Sequence, residues 1–410
     1  MSTDFDVVVA GGGPVGATLA ALLTRHGGLE PARVALLEPQ SPPAPAPGAE
    51  PDLRVSAISR ASERILGAAG AWERLDVDRL CAYERMRIWH ESTRPDGADV
   101  LVFDAADVGE PNLGTIIENR QLQAAAMAGF LGQGGAHLRS VLQSFAVTPA
   151  AVTLELDGAT LRTRLLVGAD GAHSAVREGL RLESRWHAYG QQAIVATIAT
   201  ADPHAGAARQ RFLGTGPLAL LPLFDAHCSI VWSVGEAMAQ ELLRLDADGF
   251  ARRLDAASDR MLGPTRLASR RLAFPLRSLA TRDYVRARCA LVGDAAHVVH
   301  PLAGQGMNLG LLDAAALCEA VAAAVAQRED PGALRILRGY EQARRTHNLA
   351  IDAAMSLFNT CFSQPEGVRG WLAGLALGGV NRSALARRLF MERALGLAGE
   401  LPRLARPRAA

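Results

Sequence analysis

The sequence predicts a mixed α/β fold in which a parallel sheet with flanking helices is interleaved with a mostly antiparallel sheet and is followed by a C-terminal helical region. A strand, a glycine-rich turn, a helix and a second strand occupy residues 6–38. Residues 161–171 and 284–297 each have the pattern of a strand that runs into a Gly/Asp turn, and strand-like sequence lies between them. Because 410 residues exceed one typical domain, the chain has room for two interlocked modules.

The composition is that of an ordinary folded protein and excludes several classes of function. Hydrophobic residues make up 49% and charged residues 21% of the chain, which argues against disorder, collagen-like repeats and coiled coils. With 43 Lys+Arg against 42 Asp+Glu, the net charge of +1 provides no global field that would recruit nucleic acid. The sequence contains no lysine, so mechanisms that need a Schiff-base or phosphate-loop lysine are excluded.

The cysteines and the N-terminus indicate a reducing environment. The five cysteines are far apart and never form a CxxC pair, so neither a disulfide framework nor a zinc site is predicted. The start, MSTDFDVVVAGGG, is acidic and lacks the longer apolar pattern of a secretion signal. No eighteen-residue apolar stretch is free of charge. We therefore expect a cytoplasmic protein without a membrane span.

The first elements follow from hydrophobic spacing. Residues 6–10 have the apolar run of a buried parallel strand, residues 15–26 the spacing of a helix packed on a sheet, and residues 33–38 the pattern of a second strand. Residues 39–52 hold six of the 21 prolines, too many for a helix or an interior strand. We interpret this segment as an exposed excursion, either a tolerated insertion or a mobile flap near the ligand.

The turn after the first strand has the GxGxxG spacing of a dinucleotide-binding, Rossmann-like unit. Gly11, Gly13 and Gly16 lie in GGGPVG, with Pro14 at the predicted helix start, and Glu38 ends the second strand. Glycine lets the backbone approach a pyrophosphate, the helix N-terminus presents free N–H groups, and Glu38 can accept hydrogen bonds from a ribose. The motif predicts FAD or NAD without choosing between them, and the alternative is a glycine-rich turn without a ligand.

Two later turns distinguish the two nucleotides. Asp170 and Gly171 lie in GADGAHSAVR, and Gly293 and Asp294 lie in GDAAHVVHPLAGQGMNLGLLDAA. Asp294 directly follows a predicted strand and is suited to accept hydrogen bonds from ribityl hydroxyls. Together with the first turn, these motifs resemble the fingerprints of the single-component, FAD-dependent aromatic hydroxylases, whose fold is that of para-hydroxybenzoate hydroxylase. The alternative for both aspartates is a plain N-cap or turn residue.

No metal site and no acid–base pair are predicted. His297 and His300 flank the third turn, but without a nearby carboxylate or cysteine cluster they are better interpreted as loop histidines than as metal ligands. No Ser-His-Asp set or paired carboxylates are visible. The catalytic residue and the general base therefore stay unassigned, in agreement with an oxidation driven by the cofactor.

The order of further blocks narrows the resemblance. LRVSAISRASERILGAAGAW, CAYERMRIW, LGTIIENRQLQ, LALLPLFDAHCSIVWSV and RALGLAGELPRL resemble the ubiquinone-biosynthesis hydroxylases, most of all the branch that hydroxylates 2-polyprenylphenols at C5. The resemblance extends from about residue 5 to residue 404. It implies further cofactor contacts at Arg54, Arg120, Pro301, Gly304, Gln305, Gly306, Met307 and Asn308.

The resemblance also implies an architecture and a reaction. The FAD-binding domain is expected at 1–80, 104–182 and 283–345, the substrate-binding β-sheet domain at 81–103 and 183–282, and the helical region at 346–410. NAD(P)H would reduce bound FAD, and O2 would supply the oxygen placed on the ring of a polyprenylphenol. The alternatives are a reductase similar to geranylgeranyl reductases, a hydroxylase of a soluble phenolic compound, and a non-catalytic flavin-binding scaffold. The WxWxIP signature of flavin halogenases is absent.

The substrate pocket and the partners are predicted from the second sheet and the C-terminus. Five residues on the strands predicted to face the flavin are candidates for the pocket, although a buried sheet core with one exposed Arg is the favoured interpretation: Arg211, Leu221, Pro222, Phe224 and Trp232. Residues 364–410 contain eight Arg and three Glu beside the apolar stretch GWLAGLALGG. This composition predicts that the segment contacts an anionic inner-membrane surface. The alternative is that it contacts another subunit of a homo-oligomer, another domain or a partner in a biosynthetic complex.

Overall fold

The computed structural model describes residues 3–40, 43–46, 48–97, 100–299, 305–362 and 400–407, with only the backbone described at 305 and 352–362. The described strands are, in chain order, β1 Phe5–Ala10, β2 Val34–Leu37, β3 Val55–Ser59, β4 Cys81–Tyr83, β5 Arg85–His90, β6 Leu101–Asp104, β7 Gly114–Glu118, β8 Ala136–Leu138, β9 Leu142–Val147, β10 Val152–Leu156, β11 Ala159–Gly168, β12 Ser184–Thr200, β13 Ala207–Leu213, β14 Gly216–Pro222, β15 His227–Gly235, β16 Thr265–Leu267, β17 Leu272–Thr281, β18 Val285–Arg286, β19 Cys289–Leu291 and β20 His297–Val298. The described α-helices are α1 Pro14–His26, α2 Arg60–Ala68, α3 Asn119–Leu131, α4 Ala175–Gly179, α5 Glu236–Arg244, α6 Ala247–Ala257, α7 Gln305–Ala326 and α8 Leu334–Phe362.

The N-terminal module begins with β1 and also includes strands from later in the chain. It is built on an eight-stranded sheet with the main order β18-β19-β11-β1-β2-β8. β1 runs parallel to β2 and β11, and β11 runs parallel to β19, while β9 and β10 add an antiparallel extension. Val7, Val8 and Val9 of β1 are completely buried, as expected for a central strand of a parallel sheet. The prediction that distant segments return to one parallel sheet is confirmed.

Helix α7 is a core helix of this module, where it packs against α1 and α2. Its segment Gly306–Ala326 is long and apolar enough to cross a membrane, with a mean hydropathy of 1.8. However, 61% of its most apolar window is buried inside the protein. The helix also carries Asp313, whose side chain is completely buried among protein partners. This packing accounts for the apolar composition without a membrane.

The second module is built on a nine-stranded sheet with the order β20-β17-β12-β15-β14-β13-β5-β6, and β16 pairs with β12. Neighbouring strands are antiparallel except β13 and β5, which are parallel. Helices α5 and α6 cover one face, where Trp232, Phe250 and Leu254 belong to one buried cluster. The prediction of a mostly antiparallel second sheet is confirmed.

A three-stranded antiparallel sheet, β3-β7-β4, joins the two large sheets. Ile58 and Ile117 on one of its faces belong to the core of the N-terminal module. On its other face, Ala57 and Ile116 pack against Leu223, which directly follows β14. We call the face of the nine-stranded sheet that meets this small sheet the inner face.

The structure places two predicted boundaries differently. Residues 81–103 do not enter one sheet, because β4 pairs with β7 of the small sheet whereas β5 and β6 join the nine-stranded sheet. Helix α8 crosses the predicted boundary between 345 and 346 without a break, because Arg344 and Asn348 on either side of it both bind Asp313. Most of the basic segment 364–410 lies outside the described residues.

The end of the Pro-rich segment is fixed by a buried ion pair. Arg79 and Glu118 lie 2.7 Å apart, and their side chains are only 5% and 1% exposed. Arg79 also donates to the carbonyls of Ala49 and Glu50, and Glu118 accepts from the amide of Asp52. The described residues earlier in the segment are mostly exposed, as predicted. Its role as a flap stays a prediction.

Candidate cofactor site

The first turn is built so that only glycine fits at two of its positions. Gly11 has φ +102°, and a Cβ there would lie 2.7 Å from the Cα of Asp170. At Gly16 a Cβ would overlap the carbonyl oxygen of Gly11 and lie 2.9 Å from the Cβ of Ala169. The first and second turns therefore touch through backbone, which a larger residue would separate.

The N-terminus of α1 is open to an anion. Gly13 caps the helix without a side chain, Pro14 occupies its first turn, and no acidic residue lies there. The first N–H groups of the helix therefore have no side-chain acceptor and carry the positive end of the helix dipole. Gln123 of α3 donates to the carbonyl of Gly12 and fixes the turn from the other side. This geometry suits a pyrophosphate.

Glu38 lies where the sequence predicts it, just after β2 and beside the first turn. Its Oε2 accepts from the amide of Gly12 at 2.8 Å, and its Oε1 accepts from the amide of Gln40 at 3.1 Å. Each carboxylate oxygen has a second lone pair for a further donor such as a ribose hydroxyl. The structure thus places Glu38 correctly for the predicted role without testing the ribose contact.

The second turn presents a buried acceptor that has no described partner. Asp170 uses Oδ2 to accept from the amide of Val176 at the start of α4, whereas its Oδ1 is buried without a hydrogen bond. Asp170 is therefore partly a helix-capping residue, the alternative considered for it. A buried carboxylate oxygen without a donor is costly, so the remaining oxygen indicates a ligand hydroxyl or amide. Gly171 follows with φ +80°.

The third turn lies against the first two. A Cβ on Gly293, whose φ is +59°, would lie 3.3 Å from Cγ1 of Val15 at the start of α1. Arg177 donates to the carbonyl of Ala295 at 3.0 Å and to that of Ala172 at 2.7 Å, so it ties the second turn to the third. The three predicted turns therefore lie against one another.

Asp294 lies in the third turn, and the residue is exposed. Desolvation by the surrounding protein raises the pKa of its carboxyl group, and the nearby His297 and Arg54 oppose the rise without cancelling it. Hydroxyl groups that donate hydrogen bonds in place of water would stabilise an ionised carboxylate in such surroundings. This environment fits the predicted contact with ribityl hydroxyls.

The two arginines implied by the resemblance are both exposed. Arg54 precedes β3, and its guanidinium lies 4.9 Å from the ring centre of Phe274. Arg120 lies in the first turn of α3, three residues before Gln123 and thus on the same side of the helix. The contacts of Arg54 and Arg120 with a cofactor stay predictions.

The loop predicted to lie beside the flavin ring is only partly described. Pro301 and Gly304 lie outside the described residues, and Gln305 is described by its backbone alone. Gly306 and Met307 lie in the first turn of α7 and are half-buried. Asn308 is buried, and its amide accepts from Ser59 N and donates to Ala57 O, both at 2.9 Å. The side chain of Asn308 therefore holds α7 on β3.

The five pocket candidates do not share one face of the nine-stranded sheet. Trp232 points toward α6, where its ring centre lies 6.4 Å from that of Phe250. Arg211 pairs with Asp259 at 2.9 Å and donates to the carbonyl of Ala257 at the end of α6. Because side chains alternate along a strand, both residues point away from the inner face. The structure therefore places both residues away from the predicted pocket, and the burial of Trp232 agrees with the buried sheet core favoured from the sequence.

The other three candidates lie at the end of β14. Leu221 is on the inner face and packs with Tyr83 of the small sheet. Pro222 is buried opposite Cys228, which belongs to the cluster under α5 and α6, so it too points away from the inner face. Phe224 is half-buried, and its ring centre lies 4.6 Å from the guanidinium carbon of Arg79. Of the five, Leu221 has the placement that the pocket prediction requires.

A buried polar cluster behind the third turn is the feature that sequence reasoning missed. His297 bonds to Asp313, and no group of three or more metal-ligating residues occurs in the described part of the chain. Arg344 and Asn348 of α8 bind the same carboxylate. The available signal was an aspartate at the centre of an otherwise apolar helix, a position where charge needs partners.

Comparison with known proteins agrees with this geometry. The family described as FAD binding domain matches residues 4–352. The chain is 36% identical over 408 residues to ubiquinone hydroxylase UbiL of Rhodospirillum rubrum, covering 98% of this chain and 92% of that protein. The chain is a member of the FAD-dependent ubiquinone-biosynthesis hydroxylases. This hydroxylase is also 32% identical to 3-demethoxyubiquinol 3-hydroxylase of Escherichia coli, covering 96% and 98% of the two chains.

Solved structures agree with the fold. The hydroxylase superposes on PqsL of Pseudomonas aeruginosa, described as a probable FAD-dependent monooxygenase, with a TM-score of 0.73 at 25% identity, covering 91% and 99% of the two chains. The p-nitrophenol 4-monooxygenase PnpA of Pseudomonas putida gives a TM-score of 0.76 at 19% identity, covering 97% and 100%, which shows the shared fold. The hydroxylase is thus an FAD-dependent monooxygenase, for which NAD(P)H and O2 are the typical co-substrates.

Proposed function

We propose that this hydroxylase adds one oxygen atom to the aromatic ring of a polyprenylphenol intermediate of ubiquinone biosynthesis, with NAD(P)H and O2 as co-substrates. The names and full-length similarity of the relatives support the pathway. The observation that carries the substrate class is the apolar junction between the small sheet and the inner face of the nine-stranded sheet.

The lining of this junction is uncharged. It consists of three buried and four partly buried side chains that pack together: Ala57, Ile116, Leu223, Val55, Cys81, Tyr83 and Leu221. Burial raises the pKa of the Cys81 thiol to about 11 and that of the Tyr83 phenol to about 12, so both groups are neutral at pH 7. A hydrocarbon chain gains free energy in such surroundings, whereas the carboxylate of a soluble phenolic acid would lose its hydration there.

Strand β3 connects this junction to the cofactor site. Val55 at its start is part of the apolar lining, whereas the amide of Ser59 at its end bonds to Asn308 of α7. Arg54 precedes the strand and lies over Phe274 of the nine-stranded sheet. A phenol ring held near the flavin could therefore extend an apolar tail along the small sheet.

When bound, FAD supplies the redox chemistry of the reaction. The chain supplies binding and exclusion of water. The three turns hold the dinucleotide through backbone N–H groups, Glu38, Asp170 and Asp294, and the apolar junction keeps water from the reacting ring. The seven residues of the junction contain no ionised group, in agreement with chemistry driven by the cofactor.

The test is a turnover assay with purified protein. After its visible spectrum has been recorded for bound flavin, NAD(P)H oxidation is followed with a short-chain 2-polyprenylphenol, a 3-demethoxyubiquinol analogue, a soluble phenolic acid or no phenol. The proposal expects faster oxidation with a prenylated ring and a product heavier by one oxygen. If only the soluble phenolic acid accelerates NAD(P)H oxidation, the protein is a hydroxylase of a soluble phenolic compound. If the protein binds flavin but no phenol changes the rate of NAD(P)H oxidation, the reductase and scaffold alternatives are favoured.

We also propose that the hydroxylase meets its lipid-like substrate at the inner-membrane surface, through the basic segment 364–410. The net excess of five arginines over glutamates in this segment supports the proposal. Flotation with anionic vesicles and no flotation with neutral vesicles is the expected result. Association into a homo-oligomer or a biosynthetic complex without vesicle binding would favour the alternative contact.

A further inference from the structure

The third cofactor turn rests on a buried polar cluster that no cofactor contact explains. Asp313 of α7 is completely buried, and its Oδ2 accepts from the amide of Gly293 at 3.1 Å and from Nε2 of His297 at 2.6 Å. Its Oδ1 accepts from Nε of Arg344 at 2.9 Å and from Nδ2 of Asn348 at 3.1 Å. Four donors thus converge on one carboxylate directly behind the turn that presents Asp294.

Two of the four donors, Arg344 and Asn348, come from one stripe of α8. Tyr340, Arg344 and Asn348 are spaced by four residues and lie on the same side of the helix. The hydroxyl of Tyr340 donates to the carbonyl of Leu291 at 2.7 Å, two residues before Gly293. Arg344 also donates to Oδ1 of Asn348 at 2.8 Å, so the stripe is internally bonded. Helix α8 therefore holds the end of β19 and, through Asp313, the turn that follows it.

Nearby donor groups keep the Asp313 carboxyl group ionised. Burial alone would raise the pKa of Asp313, but His297 and Arg344 outweigh burial and bring the pKa below its ordinary value. An ionised carboxylate accepts hydrogen bonds and donates none, so it fixes the direction of the Gly293 amide. Gly293 has φ +59°, one of several conformations open to glycine, and the bond from its amide to Asp313 favours this one.

We propose that Asp313 is a positioning residue for FAD: with Arg344 and Asn348 it holds the Gly293 amide and thereby sets where Asp294 meets the cofactor. Asp313 itself is buried behind the turn and acts through it. FAD affinity consequently depends on α8, although α8 is far from the turn in sequence. This inference needs FAD binding alone and does not rest on the substrate proposed above.

The test compares Asp313→Asn with a matched control in the apoprotein. Asp313→Asn retains the shape of the side chain but presents an amide to four donors. The control is Asp255→Asn, since Asp255 of α6 is also buried and accepts from Thr265 N and Oγ1 in the other module. Kd is measured by titrating each apoprotein with FAD and following flavin fluorescence, and Tm is measured with and without FAD.

For Asp313→Asn we expect the Kd for FAD to rise by about tenfold or more and the gap between holo and apo Tm to narrow. For Asp255→Asn we expect a lower Tm in both states with a Kd within about twofold of wild type. If folded Asp313→Asn protein binds FAD with the wild-type Kd, the positioning role is wrong and Asp313 only stabilises the fold.

Asn348→Ala keeps the inference testable if Asp313→Asn does not fold. It removes one donor and leaves the Asp313–Arg344 pair, and we expect the Kd for FAD to rise by about threefold or more. An unchanged Kd in folded Asn348→Ala protein would then overturn the proposal. Wild-type protein that binds FAD but does not hydroxylate a prenylated phenol would contradict the proposed function and leave this inference standing.

Discussion

Gly13 and Gly16 of the first turn differ in the physical reason that favours glycine. At Gly16 a methyl group would collide with the backbone of the same turn, whereas a Cβ on Gly13 meets no described atom within 4 Å. The backbone of Gly13 has φ −60°, which any residue adopts. Gly16 is therefore required by the protein itself, whereas for Gly13 we expect the reason to be the close approach of a pyrophosphate.

This difference predicts separable effects. Gly16→Ala should lower the Tm of the apoprotein and weaken FAD binding, because the first turn must open to admit the methyl group. Gly13→Ala should leave the apo Tm unchanged and raise the Kd for FAD by about tenfold. Thermal unfolding and FAD titration of both variants test this prediction. Gly339→Ala in α8, where a Cβ also meets no described atom within 4 Å, should leave the Kd unchanged.

At Asp294 we expect the ionised carboxylate to lower the stability of the apoprotein while it supports FAD binding. Its pKa is raised in the folded apoprotein, so the folded state disfavours the ionised carboxylate at pH 7. Because the residue is exposed and solvent screens the effect, Asp294→Asn should raise the apo Tm only slightly while weakening FAD binding. The gain in Tm should shrink as the pH falls toward the pKa, because the wild-type carboxyl then becomes neutral as well. An apo Tm that falls at pH 7 would contradict this reading of the site.

At the scale of elements, the Arg79–Glu118 pair joins three parts of the chain. Arg79 binds the end of the Pro-rich segment and lies against Phe224 of the second module, and Glu118 ends β7. The pair therefore fixes the segment that precedes β3. This strand contributes Val55 and Ala57 to the apolar junction and bonds to Asn308. A buried pair of this kind is costly to break because the remaining charge has no partner.

Glu118→Gln should lower the free energy of unfolding by about 3–5 kcal/mol, since it leaves a buried guanidinium without a carboxylate. The measurement is denaturant unfolding of the variant against wild type. Glu241→Gln is the control, because Glu241 pairs with Arg253 at the surface with both side chains about half exposed. That change should cost less than about 1 kcal/mol. Equal losses in the two variants would show that burial does not distinguish these pairs.

At the scale of the whole molecule, function depends on which face of the nine-stranded sheet meets the small sheet. Leu220 and Leu221 are adjacent in β14 but point to opposite faces. Leu220 is 1% exposed in the cluster under α5 and α6, and Leu221 is partly buried in the apolar junction. Leu220 therefore packs in the core, whereas Leu221 borders the proposed path of the prenyl tail.

Leu221→Ala should raise KM for a prenylated phenol by about tenfold with little loss of stability, because it removes apolar contact from the junction. Leu220→Ala should cost about 2–5 kcal/mol of stability through a core cavity, with KM unchanged in the folded protein. Steady-state kinetics and denaturant unfolding of both variants separate the two roles. A KM that responds to Leu220 and not to Leu221 would place the substrate elsewhere.

The sequence by itself determined the nucleotide-binding unit and its three turns. A strand that ends in GxGxxG, or in a Gly/Asp turn, requires local backbone conformations that few residues other than glycine and aspartate support, so local pattern is sufficient there. The tertiary structure decided the rest. Period-two alternation divides a strand into two faces without stating which one meets the cofactor, and for this reason Arg211 and Trp232 were misplaced. Likewise, Asp313 and Arg344 are 31 residues apart, and only the packing of α8 on α7 brings their charges together behind the third turn.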